Sequence, residues 1–127
     1  MTEKIQYNLE FELNTSVRVL YPRLSTPDGF SEWFCDDVNL KDDVFTFFWD
    51  GAEDAAKKIS SKDYKFIRFQ WLKDEGTPYY FEFKLETHDL TRDMALLITD
   101  FAPEDEKQEA IELWENQIAK LKRVLGV

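Results

Sequence analysis

Apolar residues recur at helical spacing along the end of the chain. The steps between them alternate between three and four residues, which aligns them on one face of a helix with about 3.6 residues per turn. They are Ile111, Trp114, Ile118, Leu121 and Leu125. Pro103 suits the first turn of such a helix, and Gly126 can take the left-handed conformation that ends one. The pattern predicts one long amphipathic helix over residues 103–127.

The beginning of the chain follows a different period. Apolar residues alternate with polar ones, and a period of two is typical of a strand with one buried face and one solvated face. The apolar set is Ile5, Tyr7, Leu9, Phe11 and Leu13. The sequence therefore predicts a first strand over residues 4–13.

Two short helices are predicted to follow this strand. Ser16 offers a side-chain oxygen that can cap the first helix, and Pro22 lies deep enough in it to shorten or kink it. Thr26 and Pro27 are a cleaner start signal, a hydroxyl cap followed by a proline at the first helical position. The second helix is expected to carry three aromatic side chains inward: Phe30, Trp33 and Phe34.

A period of two returns in the middle of the chain and predicts six further strands. Their ranges are 36–40, 44–49, 53–60, 64–71, 78–87 and 92–101. The connections are short and rich in turn-forming residues, which favours antiparallel neighbours over parallel crossovers. The range 53–60 stays open at this level, because Ala55, Ala56 and Lys57 suit a helix equally well.

Together these elements predict a single α+β domain over residues 1–127. A curved antiparallel sheet of about six or seven strands would wrap around the long C-terminal helix, with the two short helices placed after the first strand.

Charge and cysteine content narrow the range of functions. The net charge of −10 repels phosphate groups, which argues against nucleic-acid and anionic-membrane binding. No run approaches the roughly 18 apolar residues that span a bilayer, and no signal-peptide core is present at the start. Cys35 is the only cysteine, so it cannot form an intrachain disulfide. A cytoplasmic protein without a membrane span is expected.

The segment from Ser16 to Phe34 resembles a known family. Its first helix, the Thr26-Pro27 turn and the Trp33-Phe34 pair are similar to those of bacterial relatives of the heat-shock-protein-90 ATPase activator. With the element order of the whole chain, they resemble the START-like (SRPBCC, Bet v 1-like) superfamily, and the resemblance implies a helix-grip fold. This chain departs from commoner members in its short loops and its strongly acidic composition.

The resemblance implies three classes of function, which the residues leave open. Some members carry lipids, sterols or polyketides, the eukaryotic activator binds a chaperone, and others are cyclases or dehydratases. No segment here carries over the chaperone-binding role residue by residue. The sequence favours a non-enzymatic domain that binds a small hydrophobic or amphipathic ligand. The alternatives are a protein-interaction module of the chaperone-activator type and, less favoured, a cyclase or hydrolase. An enzyme would need at least two polar groups converging inside the cavity, and the strand alternation is expected to supply none.

A ligand in this fold would lie between the concave face of the sheet and the C-terminal helix. The strand alternation and the helical stripe direct fourteen side chains toward that space, and they are the candidate ligand-binding residues. They are Tyr7, Leu9, Phe11, Phe45, Phe47, Ile67, Phe69, Trp71, Phe81, Phe83, Leu96, Ile98, Trp114 and Ile118. For the strand over residues 44–49, the inward set Phe45, Phe47 and Trp49 is preferred to the alternate set, although both are partly apolar.

The abundance of aromatic residues leaves the size of the pocket open. An empty volume of about 300 Å³ would cost roughly 7 kcal/mol at about 24 cal/mol per Å³. A domain of this length is expected to be stable by about 6 to 19 kcal/mol. Eleven Phe, five Tyr and four Trp could fill much of the space instead. A ligand-sized cavity and a filled core therefore remain equal alternatives.

Three polar or reactive residues stand out, each with a plain interpretation. Arg68 lies between aromatic residues and could anchor a ligand carboxylate, but a surface pair with Glu82 is the favoured interpretation. His88 beside Asp89 is expected to be a solvated turn residue. Cys35 is expected to be an inert thiol because the acidic residues that follow it raise its pKa.

No cofactor or metal is expected. The carboxylates at residues 36–43 and 50–54 fit no calcium-binding loop, and no Cys/His set could bind zinc.

Four aromatic residues fall on the alternate face of their strands. They are Phe48, Tyr64, Phe66 and Tyr80. If that face is the outer one, they form an aromatic patch that a protein partner or a second copy of the chain would cover.

Overall fold

Seven strands and three α-helices make up the part of the chain that the computed structural model describes, residues 3–87 and 94–127. In chain order they are β1 Lys4–Leu13, α1 Val17–Ser25, α2 Pro27–Ser31, β2 Asp37–Lys41, β3 Val44–Trp49, β4 Ala52–Lys62, β5 Phe66–Trp71, β6 Phe81–Thr87, β7 Met94–Pro103 and α3 Lys107–Leu125. The strands form one sheet in the order β1-β7-β6-β5-β4-β3-β2, and each neighbouring pair is antiparallel.

The predicted α+β helix-grip fold is confirmed. The long helix α3 lies against the concave face of the curved sheet and buries Trp114, Ile118 and Leu121 there. The ring centroid of Trp114 lies 6.2 Å from that of Phe81 and 5.7 Å from that of Phe83, both on β6. The apolar stripe read from the sequence is thus the face that contacts the sheet.

Local capping explains the two short helices. The Ser16 side chain accepts a hydrogen bond from the backbone N–H of Val19 at the start of α1. The Thr26 hydroxyl oxygen accepts one from the N–H of Gly29 at 3.0 Å, and Pro27 occupies the first turn of α2. Pro22 lies inside α1, which remains short at nine residues.

Gly29 is required because α1 and α2 approach closely there. A Cβ added at Gly29 would lie 2.1 Å from the carbonyl oxygen of Pro22 and 2.5 Å from the Cα of Arg23. Both neighbours are backbone atoms, which cannot move aside as a flexible side chain can. Glycine therefore allows the close approach of α2 to the backbone of α1.

Several predicted boundaries were wrong by a few residues. The strand over 53–60 is confirmed against the helical alternative and extends over Ala52–Lys62, with a shift of register between Lys58 and Ser60. The strand predicted to start at 64 begins at Phe66, because Tyr64 adopts a left-handed turn conformation with φ of 64°.

The other boundary corrections have local causes too. The strand predicted from 78 begins at Phe81, because the Gln70 side chain hydrogen-bonds the carbonyls of Thr77 and Tyr79 ahead of it. The helix predicted from 103 begins at Lys107, after a 3₁₀ turn over Glu104–Glu106. The strand predicted over 36–40 is shifted by one residue, and residues 92 and 93 of the last predicted strand lie outside the described residues.

Within the described ranges, no helix combines the length and the apolar character needed to cross a bilayer.

Candidate functional site

Most of the fourteen predicted ligand-binding residues pack against one another as core. Eleven are buried, and Leu9, Phe11 and Trp71 are partly buried at its margins. The inward choice on β3 is correct for Phe45 and Phe47, which are 1% and 0% exposed. These residues therefore share the concave face as predicted, but most of the space between them is filled.

Phe30 fills the centre of the concave face. It projects from α2 and is fully buried, with its ring centroid 5.7 Å from that of Phe45, 5.2 Å from that of Phe47 and 5.7 Å from that of Phe69. Such tilted and edge-on contacts are the arrangements that aromatic rings prefer. The second short helix thus inserts a side chain where a larger ligand would otherwise lie.

The filling stops at one end of α3, where a cavity of about 230 Å³ remains. Four aromatic residues contribute to its wall, one of them on α3, together with three ionisable side chains and three further residues of α3. The wall consists of Phe34, Trp49, Trp71, Trp114, Asp54, Lys73, Asp100, Ala110, Leu113 and Gln117. Two of the fourteen predicted residues, Trp71 and Trp114, therefore reach the cavity. We call it the open-end cavity.

Asp100 is the polar residue of the open-end cavity that accepts the most hydrogen bonds. Its Oδ2 accepts hydrogen bonds from the Tyr7 hydroxyl at 3.2 Å and from the Trp114 indole N–H at 2.9 Å. Its Oδ1 accepts one from the backbone N–H of Phe101 at 2.8 Å. Tyr7 on β1 lies directly opposite Asp100 on β7 in the strand register. The carboxylate thereby joins two strands to the helix α3.

Burial dominates the electrostatics of this group. It raises the pKa of the Asp100 carboxyl above the ordinary value of 3.8, although the three hydrogen bonds and the charge of Lys4 oppose the rise. Burial and the neighbouring Asp100 also raise the pKa of the Tyr7 hydroxyl. Among the described lysines and arginines, none forms an ion pair with Asp100.

Asp54 and Lys73 form an ion pair at the open-end cavity. The Lys73 Nζ lies 3.0 Å from Asp54 Oδ2, and it also lies over the Trp71 ring at 5.7 Å from the centroid. Lys73 is thus already matched by one carboxylate. Counted at their formal charges, Asp54, Lys73 and Asp100 sum to one negative charge.

Sequence reasoning missed these polar groups, although the signal was present. Asp100 lies two residues after Ile98 on β7, so the alternation that directs Leu96 and Ile98 inward also directs Asp100 inward. Asp54 lies two residues before the buried Ala56 on β4 in the same way. The expectation that strand alternation supplies no converging polar groups was therefore wrong.

The residues singled out as reactive have ordinary surroundings where the structure describes them. Arg68 Nε donates a hydrogen bond to Glu82 at 3.0 Å, and its guanidinium lies 3.9 Å from the Tyr80 ring centroid, so it is not a ligand anchor in the cavity. Burial and the neighbouring Asp36 and Asp37 raise the pKa of the Cys35 thiol to about 11. His88 lies outside the described residues. Within those residues, no group of three His, Cys, Asp or Glu side chains could hold a metal ion.

The four aromatic residues assigned to the outer face do not form one patch. Tyr64 lies in the turn before β5 and packs against Tyr21 of α1, with ring centroids 5.3 Å apart. Tyr80 packs against Phe101 at 5.1 Å and beneath Arg68. Phe48 and Phe66 are half-buried on separate strands. The outer face is therefore a weaker candidate for a partner surface than the sequence indicated.

A second, wider depression adjoins the open-end cavity along α3, and the two share Phe34, Trp49, Leu113 and Gln117 in their walls. It has a volume of about 920 Å³ and runs between residues 31–36 and the helix positions from Leu113 to Val124. Its wall includes the exposed apolar side chains of Leu113 and Val124 together with Lys120 and Arg123. We call it the flank groove.

Comparison with known proteins assigns the family. The profile of the START-like superfamily domain matches residues 1–127, and the chain belongs to this superfamily. No curated protein sequence matches it.

Solved structures agree with this assignment. A Bacteroides fragilis protein studied by solution NMR is 39% identical and superposes with a TM-score of 0.70, over 98% of this chain and 93% of that one. An Aha1 dimer from Colwellia psychrerythraea is 18% identical with a TM-score of 0.77, over 93% of both chains. A Mesorhizobium loti protein is 15% identical with a TM-score of 0.79, over 96% of this chain and 97% of that one. The latter two likenesses concern the fold alone.

Proposed function

We propose that this START-like domain binds a small hydrophobic or amphipathic ligand in the open-end cavity, between the sheet and α3. One observation carries the proposal: aromatic packing fills the concave face around Phe30 but leaves about 230 Å³ beside Trp49, Trp71 and Trp114. Pockets for small molecules are mostly walled by apolar and aromatic side chains, with a few polar groups that orient the ligand. The open-end cavity has this composition.

The volume limits the size of the ligand. At about 30 Å³ for each water in the liquid, a cavity of about 230 Å³ corresponds to roughly eight water molecules. A whole sterol or a two-chain lipid would exceed it without movement of α3. The proposal is therefore restricted to a small molecule, or to one end of a longer molecule whose remainder lies outside.

Filling the cavity from α3 tests the proposal. Ala110 lies in the wall of the open-end cavity, so Ala110→Phe should occupy it and abolish the uptake of small apolar probes. Ala119→Phe places the same side chain on the same helix, but in the flank groove, and should leave uptake unchanged. Native mass spectrometry of the purified protein and tryptophan fluorescence titrations with short-chain alcohols supply the measurement. Equal uptake by Ala110→Phe and the wild type would contradict the proposal.

A second candidate function is self-association through the flank groove. The groove carries exposed apolar residues, Leu113 at 59% and Val124 at 40% exposure, and an Aha1 dimer shares the fold. A second copy of this chain is the proposed occupant. Light scattering with size-exclusion chromatography should show a dimer that Val124→Glu dissociates. Ile59→Glu, at an equally exposed position on β4, is the control. A monomeric wild-type protein at high concentration would overturn this candidate.

A further inference from the structure

The open-end cavity contains a carboxylate that forms no ion pair with the described lysines and arginines. Asp100 accepts three hydrogen bonds, but all three donors are neutral: a phenol, an indole and a backbone amide. The described basic residues form their ion pairs elsewhere, Lys4 with Asp74 and Lys73 with Asp54. Burying an ionised carboxylate is unfavourable unless a charge partner or a full set of hydrogen bonds compensates it.

The carboxylate can still accept further bonds. Its two oxygens offer about four lone-pair positions, and three of them are used. Asp100 also belongs to the cavity wall, so a bound molecule can reach it. A donor that enters the cavity would meet an acceptor that is already oriented by Tyr7 and Trp114.

The aromatic part of the wall favours the same kind of ligand. Trp71 and Trp114 line the cavity together with Asp100, and Phe34 and Trp49 also belong to its wall. Indole rings attract cations through the negative potential of their faces, more strongly than phenyl or phenol rings do. The Trp71 ring already holds the ammonium group of Lys73 at 5.7 Å, so its face accepts a cation in this fold.

The charges in and around the cavity favour a cationic ligand over an anionic one. The wall carries Asp54, Lys73 and Asp100, and the pair between Asp54 and Lys73 leaves the charge of Asp100 unmatched. The chain as a whole has a net charge of −10, which adds a field that favours cations and repels anions. An anionic ligand would have to displace the Asp54 carboxylate from Lys73 and approach Asp100.

We infer that the ligand of the open-end cavity is a small organic cation, an alkylammonium or quaternary ammonium group that binds at Asp100 among the indole rings of Trp71 and Trp114. This inference rests on the proposed function and deepens it by assigning the chemical class of the ligand. The ammonium group would supply the ion-pair partner that the described lysines and arginines do not provide at Asp100.

Three isosteric probes separate the inference from the proposed function. The first is choline, the second is its carbon analogue, in which an uncharged quaternary carbon replaces the nitrogen, and the third is the carboxylate that corresponds to this analogue. Calorimetric titration of the wild-type protein should show choline binding about tenfold more tightly than the uncharged analogue, as expected for one desolvated cation–π and charge contact. The carboxylate should bind most weakly. Added salt should reduce the preference.

Two variants assign the preference to Asp100. Asp100→Asn keeps the size of the side chain and an acceptor for Trp114 but removes the charge, so choline should lose about tenfold in affinity while the uncharged analogue changes by less than about twofold. Asp42→Asn removes the same charge from an exposed turn with φ of 52°, a conformation that asparagine tolerates, and should leave both affinities unchanged.

The outcomes are distinct. Equal binding of choline and its uncharged analogue to the wild type would overturn the inference and leave the proposed apolar cavity standing. Tightest binding of the carboxylate would also overturn it. If none of the three probes binds, both the inference and the proposed function fail. Because the probe series uses the wild-type protein, the conclusion holds even if Asp100→Asn does not fold.

Discussion

The two ends of the concave face are packed to different extents, although the same strands build both. On β3, Phe45 and Phe47 are 1% and 0% exposed, whereas Trp49 at the end of the strand is only partly buried. On β5, Ile67 and Phe69 are buried, and Trp71 is again only partly buried. Phe30 from α2 packs against Phe45, Phe47 and Phe69, and we call this filled part of the face the closed end. A cavity remains beside the tryptophans at the open end.

The two ends also differ in the chemistry of their side chains. The closed end consists of hydrocarbon rings in mutual contact, which suits a core that has only to be stable. The open end combines tryptophans with Asp54, Lys73 and Asp100, and it retains a volume of about 230 Å³. Because burial of an ionisable group such as Asp100 is costly, its position beside this volume is the reason for proposing a ligand site there.

Truncation of one aromatic residue at each end should show the largest difference. Phe30→Ala should lower the free energy of unfolding by about 3–5 kcal/mol, because it leaves a cavity in a fully packed region. Trp71→Ala should cost about 1–2 kcal/mol, because water can occupy the gap at the open end. Urea denaturation measures both values. Equal losses would show that the two ends are packed alike.

Substitution at Gly29, where α1 and α2 approach closely, should have the next largest effect on stability. Gly29→Ala places a Cβ against the backbone of Pro22 and Arg23, and we expect a loss of about 1–3 kcal/mol from overpacking. Ser31→Ala, at an exposed position of the same helix, should change stability by less than about 0.5 kcal/mol. A fully stable Gly29→Ala protein would contradict the close approach of α1 and α2.

Asp100 should make stability fall as the pH rises. Because burial raises its pKa in the folded state, the folded protein retains this proton after the unfolded chain releases it near the ordinary value of 3.8. The contribution of Asp100 is therefore fully present below that pH and is lost as the pH rises through the folded-state value. The difference in unfolding free energy between the wild type and Asp100→Asn should shift in favour of the variant from about pH 4 upward.

Other carboxylates titrate in both proteins, so the difference between them isolates Asp100. Asp42→Asn, on an exposed turn, provides the same comparison without burial. A difference between the wild type and Asp100→Asn that is constant across this pH range would show that burial does not govern the group.

The outer face of the sheet should contribute least. Arg68 and Glu82 form a pair with side chains 36% and 14% exposed, and solvent screens such a pair. A double-mutant cycle with Arg68→Met and Glu82→Gln should give a coupling of about 0.2–1 kcal/mol. Ligand affinity in the open-end cavity should not change. A change in affinity would mean that the outer face and the cavity are coupled.

The fold could be predicted from the sequence because its elements follow regular periods. The stripe on α3 and the alternation on β1 and β3 are local signals, and short connections imply antiparallel pairing. The boundaries at Tyr64 and Phe81 could not be predicted, because they depend on a left-handed turn and on the side-chain hydrogen bonds of Gln70.

The candidate site could be predicted from the sequence only in part. Alternation selected the concave face correctly, but it could not show that Phe30 from a separate helix fills the centre of that face. Asp100 also occupies an inward position by the same period, but a pattern of apolar residues does not reveal a buried carboxylate. Which inward residues fill the interior and which line a cavity depends on three-dimensional packing.

The indole N–H signals of the four tryptophans test the binding site directly in one NMR titration. Trp114 donates to Asp100 within the open-end cavity, whereas Trp33 donates to the Arg23 carbonyl and lines only the flank groove. Addition of choline or its uncharged analogue should shift the signals of Trp71 and Trp114 and leave that of Trp33 unchanged. A shift at Trp33 without one at Trp114, or no shift at any indole, would contradict a ligand site between the sheet and α3.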